Sequence, residues 1–241
     1  MKVKPYEQVS AIYDGLMNKL DYETWSNYIL EISNEYFHND AKVLELGAGN
    51  CKIADFISTR YNNYVATDIS FSMLNSSKKR KLKKVCCDMT SLPFKEKFDF
   101  IFSAFDSVNY ILKQKSLLNL FKEIYYLLEE DGLFTFDASL EKNSLNFSIS
   151  KSTEGRHNDY QYRMLSKYNK RSRIHSNHFY IRDEFGNEFK ELHKEKIYKI
   201  DTFFKLAEKA GLYTEACYDC FTFKDVKQNS QRAQFVMRRI N

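Results

Sequence analysis

The sequence of 241 residues predicts an α/β protein with a doubly wound, mostly parallel sheet of seven strands. Three observations support this prediction. Short apolar runs alternate with helical patterns through the first 140 residues, at the spacing of βαβ units. A turn containing Gly47 and Gly49 follows the first of these runs. The pattern then changes to hairpins over 141–197 before helix and strand patterns return.

The N-terminal residues 5–37 have a helical pattern. Ile12 and Leu16 lie four residues apart, and apolar residues continue at spacings of three and four further along. Asp21 precedes the second part of this pattern as a candidate N-cap. We expect residues 1–40 to form a helical lid.

Five apolar runs are predicted to form the parallel strands, with right-handed crossovers between them. The helix before the fifth run is expected to end at Gly132, because glycine is favoured just beyond a helix C-terminus. The predicted strands are 41–46, 64–70, 83–89, 98–105 and 133–140, and the helices between them are 50–59, 70–81 and 114–132.

The hairpin patterns predict an antiparallel β insertion after strand five, over 141–197. Two clusters of turn residues, Asn-Lys-Arg-Ser and Asp-Glu-Phe-Gly-Asn, divide it into strands. A helix over 201–212, with Gly211 as its C-cap, and two final strands over 213–223 and 232–240 complete the predicted sheet.

The composition excludes several classes of protein. No apolar run approaches the roughly 20 residues of a membrane span, and the N-terminus has no apolar signal region. We therefore expect a cytoplasmic protein that does not contact a membrane. Five cysteines, an odd number, fit a reducing compartment. Cys217 and Cys220 form a lone C-x-x-C, which is too little for a zinc site, so we expect no bound metal.

The glycine turn is the strongest indication of a ligand. In an open parallel sheet, ligands bind at the carboxyl ends of the strands, and glycines there let the backbone approach a ligand closely. A dinucleotide and S-adenosylmethionine both fit such a turn. Lys52 replaces the third glycine of the dinucleotide fingerprint G-x-G-x-x-G, which disfavours a dehydrogenase. No phosphate-binding Walker loop is present in the sequence.

The stretch "VLELGAGNCKIA" resembles the first motif of the class I S-adenosylmethionine-dependent methyltransferases. The later motifs of that family follow in order: Asp68 ends strand two, Asp88-Met89 follow strand three, Phe98-Asp99 begin strand four, and a glycine precedes strand five. The resemblance implies a Rossmann-like cofactor domain built from 41–140 and 198–241. One departure is Cys51, where the family often has glycine.

The resemblance also implies roles for these residues. Glu45 and Gly47 would lie near the methionine end of the cofactor, Asp68 would accept hydrogen bonds from the ribose hydroxyls, and Asp88 would meet the adenine amino group. From the residues alone, Asp68 also fits a helix N-cap and Asp88 a turn. The implied cofactor-binding set is Tyr13, Glu45, Gly47, Ala48, Gly49, Asp68, Ile69, Asp88, Met89 and Phe105.

The loop "SAFDSVNYI" after strand four is not the N-P-P-Y signature of amino-methylating DNA enzymes. It resembles loops of small-molecule methyltransferases that have an N-terminal Tyr-Asp helix, and "AIYDGLMNKLDYETWSNYI" resembles their lid. The resemblance implies that Tyr13 covers the cofactor and that His193 lies at the acceptor side. Strand parity places His175 and His178 on opposite faces. The candidate catalytic residues are Tyr13, Asp106, Asn109, Tyr110 and His193.

We therefore expect transfer of a methyl group from S-adenosylmethionine to N or O of a small molecule, with S-adenosylhomocysteine as product. Such a displacement depends on positioning, and a base is needed only when the nucleophile arrives protonated. Two alternatives remain open: an RNA methyltransferase that uses the basic stretch Lys78–Lys84, and a non-catalytic module that binds an adenosyl ligand or a partner. The composition disfavours nucleic acid as a partner, and the chain is expected to be a monomer or a homodimer.

Overall fold

The computed structural model describes residues 1–77 and 81–240, which fold around two β-sheets. The predicted α/β fold is confirmed. The larger sheet has eight strands: β1 (Lys42–Leu46), β2 (Asn63–Asp68), β3 (Lys83–Cys86), β4 (Phe98–Ser103), β5 (Leu128–Ser139), β10 (Leu212–Asp219), β11 (Lys224–Asp225) and β12 (Arg232–Arg239). Their order across the sheet is β11-β10-β12-β5-β4-β1-β2-β3.

The five strands β1 to β5 are parallel, and β12, β10 and β11 continue the sheet as antiparallel strands. The strand additional to the seven predicted is β11, a two-residue edge strand that pairs with β10. Because β1 lies between β4 and β2, the order of the strands reverses there. That reversal opens a crevice at the carboxyl ends of β1 and β4.

The helices are shorter than the sequence pattern predicts. They are α1 (Val9–Leu16), α2 (Tyr22–Asn34), α3 (Lys52–Ile57), α4 (Phe71–Ser76), α5 (Gln114–Leu127), α6 (Glu141–Leu145) and α7 (Ile200–Lys209), with one 3-10 helix over Ser107–Tyr110. The Asp21 N-cap is confirmed, since its carboxylate accepts the Thr24 N–H at 2.9 Å. Gly211 follows α7 with φ +87°, as predicted for a glycine at this end.

The predicted helix end at Gly132 is wrong. Helix α5 ends at Leu127, and Leu128 already has the extended conformation of β5, so Gly132 lies inside a strand. A Cβ at Gly132 would lie 2.7 Å from the Leu128 side chain. Glycine is therefore needed here because the Leu128 side chain packs closely against its backbone. The sequence pattern does not distinguish this role of glycine from that of a helix cap.

A layer of aromatic rings forms the core on one face of the large sheet. Phe136 of β5 and Phe235 of β12 stack with ring centroids 4.7 Å apart, and Phe203 of α7 lies 4.9 Å from Phe235. All three side chains are fully buried. Helices α2 and α3 contribute to the core on the opposite face, where Trp25 and Ile29 are buried.

The smaller sheet is the predicted antiparallel insertion. Its strands are β6 (Lys151–His157), β7 (Tyr160–Asn169), β8 (Ile174–Arg182) and β9 (Glu188–Lys196), in that order. As predicted from strand parity, His175 is buried and His178 is exposed. Helix α1 packs on the inner face of this sheet through Val9 and Ile12, which contact Phe179 and Ile181. No helix among residues 1–77 and 81–240 is long and apolar enough to cross a membrane.

Candidate active site

A cavity of about 610 Å³ lies at the carboxyl ends of β1, β2 and β4, beneath α1. It is lined by the glycine turn, by the ends of these strands and by tyrosines from the N-terminal segment. All ten residues of the predicted cofactor-binding set line it, together with Tyr110 from the catalytic candidates: Tyr13, Glu45, Gly47, Ala48, Gly49, Asp68, Ile69, Asp88, Met89 and Phe105.

The glycine turn has an unusual backbone. Gly47, Gly49 and Cys51 have φ of +69°, +56° and +62°, the left-handed region that glycine adopts most easily. A Cβ at Gly47 would lie 2.7 Å from the Ser107 hydroxyl, so this position requires glycine for space as well. The positive φ of Cys51 is one that glycine would adopt at lower cost, and the Cys51 side chain is completely buried.

The Asp68 carboxylate fixes the turn and faces the cavity. One oxygen accepts the Gly49 N–H at 2.8 Å, and the other accepts the Ser70 N–H at 2.7 Å. Each carboxylate oxygen keeps a further lone pair, so both can also accept from a ligand diol. Burial raises the pKa of Asp68, and the hydrogen bonds from Ser70 and Gly49 act against that rise. The helix N-cap that follows is Ser70, whose hydroxyl accepts the Met73 N–H.

Two other carboxylates of the predicted set differ in environment. Glu45 is 2% exposed and accepts the Tyr64 hydroxyl at 2.7 Å. Burial raises its pKa to about 8, although the bond from Tyr64 acts against the rise. Asp88 is exposed, and one of its oxygens accepts the Thr90 N–H at 2.8 Å in a turn.

The cavity suits S-adenosylmethionine on the observations of this structure. Tyr22 lines the cavity, and its hydroxyl is buried without a hydrogen-bond partner among the described residues. Burial raises the pKa of Tyr22 to about 12, which keeps this hydroxyl a neutral donor. The left-handed turn leaves the backbone of Gly47 and Gly49 open to close approach, and Asp68 supplies acceptors for a diol.

Tyr6 is a cavity residue that the sequence did not indicate. Its hydroxyl lies 2.6 Å from that of Tyr110, and both residues line the cavity. Whichever hydroxyl donates, one proton of the pair remains available for a ligand. Burial raises the pKa of both tyrosines well above the usual value, so the pair stays neutral. A tyrosine beside Pro5 near the N-terminus carries no local signal of such a role.

Three catalytic candidates do not line the cavity. The Asn109 amide is fully buried: its nitrogen donates to the carbonyls of Ser139 and Lys196, and its oxygen accepts the Ser139 N–H. His193 is 2% exposed and lies behind Tyr6, with ring centroids 4.5 Å apart. Asp106 is bound by Arg232 at 3.2 Å.

Arg232 and Asp137 hold the turn that carries Phe105, and no sequence pattern pointed to either residue. Phe105 and Asp106 both have positive φ, +56° and +48°, which is costly for residues other than glycine. The buried Asp137 carboxylate accepts the Asp106 N–H at 2.9 Å and forms an ion pair with Arg232. Burial raises the pKa of Asp137, and the Arg232 guanidinium acts against that rise.

The basic stretch Lys78–Lys84 lies partly outside the described residues, since 78–80 are not described. In the described part, Lys84 donates to the carbonyls of Leu74 and Ser77, and Lys83 lies 3.5 Å from Glu96. Within residues 1–77 and 81–240, no cluster of three or more His, Cys, Asp or Glu side chains is arranged to hold a metal ion.

Comparisons with known proteins agree with this geometry. Residues 43–132 match the family model described as a methyltransferase domain. A protein of Geobacillus sp. (strain WCH70), whose name assigns it provisionally to the methyltransferases, is 28% identical over 97% of this chain and 99% of its own.

Solved structures extend the likeness to the whole chain. An S-adenosylmethionine-dependent methyltransferase from Clostridium acetobutylicum ATCC 824 is 24% identical, with a TM-score of 0.82 over 98% of this chain and 99% of its own. The sugar N-methyltransferase KedS8 from Streptoalloteichus sp. ATCC 53650 is 14% identical, with a TM-score of 0.77 over 95% and 93%. The chain thus contains a methyltransferase domain in residues 43–132, and over almost its whole length it has the fold of S-adenosylmethionine-dependent methyltransferases of known structure.

Proposed function

We propose that the protein transfers the methyl group of S-adenosylmethionine to a nitrogen or oxygen atom of a small molecule. The observation that carries this proposal is the cavity, whose lining includes the Asp68 carboxylate together with Tyr6 and Tyr110. Its volume of about 610 Å³ lies within the range of small-molecule sites. The likeness in fold to a sugar N-methyltransferase supports the same class of acceptor.

In this proposal the predicted cofactor residues keep their roles. Asp68 accepts from the ribose hydroxyls, Glu45 lies at the methionine end, and Asp88 with the Met89 N–H meets the adenine ring. Tyr13 covers the cofactor from α1. S-adenosylmethionine supplies a methyl group on a sulfonium, which a lone pair of the acceptor displaces.

The protein's contribution is positioning and the exclusion of water. The Tyr6 and Tyr110 hydroxyls are neutral donors that can orient the acceptor through a hydrogen bond. His193, the candidate base, is separated from the cavity by the Tyr6 ring. The geometry therefore favours an acceptor that arrives with a free lone pair. We further propose a cytoplasmic location and a monomer or homodimer.

The first test is thermal unfolding with S-adenosylmethionine, S-adenosylhomocysteine or NAD, each at about a hundred times a plausible dissociation constant. Ligand at that level adds ~2.7 kcal/mol of stability, or roughly 5–10 °C for a chain of this length. We expect both adenosyl ligands to raise the melting temperature and NAD to leave it unchanged. A shift with NAD alone would contradict the cofactor assignment.

A second test measures S-adenosylhomocysteine release with a panel of small amines and alcohols and, separately, with RNA. Turnover with a small acceptor supports the proposal. Turnover with RNA alone would favour the RNA alternative, and cofactor binding without turnover on any acceptor would favour the non-catalytic module. Within the described part of the basic stretch, Lys84 is engaged by carbonyls and Lys83 by Glu96, which gives no support to the RNA alternative.

A further inference from the structure

The carboxylate of Glu191 lies at the junction of the insertion and the N-terminal helix. This β9 side chain is fully buried and accepts three backbone N–H groups from the segment that begins α1. The amides are those of Tyr6 at 2.7 Å, Gln8 at 2.5 Å and Val9 at 3.0 Å. A carboxylate with three amide donors at a helix N-terminus is a strong, charge-assisted cap.

Helix α1 has no cap of its own. Gln8 occupies its N-cap position, and the Gln8 side chain makes no capping hydrogen bond. A helix of eight residues is marginal in water without tertiary support. Glu191, which belongs to the insertion, therefore supplies the N-terminal cap that the sequence around α1 lacks.

Glu191 also holds Tyr6 in a strained conformation. Tyr6 has φ +63°, which costs free energy for a residue with a side chain and persists only when its surroundings impose it. Its amide is bound by Glu191 and its hydroxyl by Tyr110. Its ring lies 6.2 Å from that of Tyr13, and both rings border the cavity.

His193 and the first residues of the chain complete this junction. The His193 ring nitrogen Nε2 lies 2.8 Å from Glu191, and its ring packs edge-on against Tyr6. The Val3 N–H donates to the Lys190 carbonyl at 3.2 Å, and the Lys190 N–H donates to the Met1 carbonyl at 2.8 Å. The N-terminal segment is thus bound to the edge strand β9 in two ways, through the Lys190 backbone and through the Glu191 side chain.

We propose that Glu191 is a positioning residue, which binds Tyr6 and α1 to β9 and so sets where Tyr13 and Tyr6 stand over the cavity. The insertion and α1 then move as one unit, and cofactor affinity depends on a side chain that does not line the cavity. This inference rests on the function proposed above, in which Tyr13 covers the cofactor. The experiment therefore measures cofactor binding in the wild type as well as in the variants.

The experiment measures S-adenosylhomocysteine affinity by calorimetry for the full-length wild type, Glu191→Gln and Glu191→Ala. The matched control is Glu188→Gln, an exposed glutamate of the same strand that pairs with Arg182 at 2.6 Å. Helix caps are worth about 1 kcal/mol, so we expect affinity to fall about five- to tenfold in the Glu191 variants and to stay unchanged in the control. Unchanged affinity in both Glu191 variants would overturn the proposal.

A double-mutant cycle separates positioning from general loss of structure. If Glu191 acts through α1, its substitution should cost little further affinity in a Tyr13→Ala background, because the contact that α1 supplies is already lost. Equal losses in both backgrounds would show that Glu191 does not act through Tyr13. A wild type that fails to bind S-adenosylhomocysteine would instead overturn the function proposed above.

Hydrogen exchange gives a readout without turnover. In the ligand-free Glu191→Gln protein we expect faster exchange over 6–16 with unchanged exchange in β1 and β4. If the Glu191 variants do not fold, wild-type exchange decides: S-adenosylhomocysteine should slow the Tyr6, Gln8 and Val9 amides together with α1. Amides at 6–9 that do not respond when α1 does would overturn the coupling.

Discussion

Asp68 combines a structural role with a proposed functional one. Its two oxygens hold the Gly49 and Ser70 amides, and the same oxygens border the cavity. The sequence left two roles open, a ribose acceptor and an N-cap. In the structure Ser70 is the N-cap of α4, so the Asp68 carboxylate is available to bind the glycine turn and a ligand.

We expect Asp68→Ala to weaken S-adenosylhomocysteine binding roughly ten- to hundredfold, because charge-assisted hydrogen bonds are worth about 1.5–3 kcal/mol. Asp99→Ala is the matched control, since Asp99 also accepts a backbone N–H, that of Lys42 at 2.7 Å, but does not line the cavity. Calorimetry measures both. Equal affinity in the wild type and Asp68→Ala would show that the motif register is wrong.

Glu45 should make stability depend on pH. Its pKa is about 8 in the fold and about 4.3 in an unfolded chain, so the folded state binds more protons between these values. The unfolding free energy should therefore fall as pH rises from about 5 to 8. Glu45→Gln removes this titration, so its melting temperature relative to the wild type should rise across that range. A difference that does not change with pH would contradict the buried, protonated state of Glu45.

At the scale of an element, the backbone conformation of the turn after β4 is imposed by residues that are distant in sequence. Phe105 and Asp106 adopt left-handed conformations that their own sequence does not favour. Asp137 of β5 and Arg232 of β12 hold them there. The Arg232 guanidinium also lies 5.4 Å from the Trp25 ring, which joins this network to α2.

We expect Arg232→Met to lower the unfolding free energy by about 3 kcal/mol, because it leaves the buried Asp137 carboxylate without its cation. The double variant Arg232→Met with Asp137→Asn should lose less than the sum of the two single losses, since no unpaired charge remains at Asp137. Urea unfolding measures all three. Additive losses would indicate that the ion pair is not coupled as the geometry requires.

At the scale of the whole molecule, Asn109 joins the two sheets. Its amide binds the end of β5 through Ser139 and the end of β9 through the Lys196 carbonyl. The residue follows strand four, where the resemblance implies a catalytic role. Its hydrogen-bonding capacity is used by the backbone, which supports a joining role instead.

Asn109→Ala should lower the unfolding free energy by about 2 kcal/mol, because it leaves the buried Ser139 N–H without its acceptor and removes the bonds to the Ser139 and Lys196 carbonyls. Asn169→Ala is the control, since Asn169 is exposed and its side chain accepts the Ser172 N–H in a turn. Exchange at the Ser139 amide should accelerate in the first variant only. Similar stability losses in the two variants would contradict the joining role.

The sequence alone determined the doubly wound sheet, the antiparallel insertion and most of the residues that were expected to lie together and line the cavity. These features follow from local rules: strand and helix periods, glycines that permit positive φ, and acidic residues at strand ends. It misassigned Gly132, because a glycine before a strand has the same local pattern whether it ends a helix or lies inside that strand.

The tertiary structure decided which side chains complete the site. Tyr6 meets Glu191 across 185 residues, and Arg232 meets Asp106 across 126, so no period or motif connects them. The tertiary structure also placed His193 behind Tyr6, and it directed the hydrogen bonds of the Asn109 amide to backbone groups. Such contacts depend on how two sheets and an N-terminal segment pack together, which is a property of the whole fold rather than of any stretch of sequence.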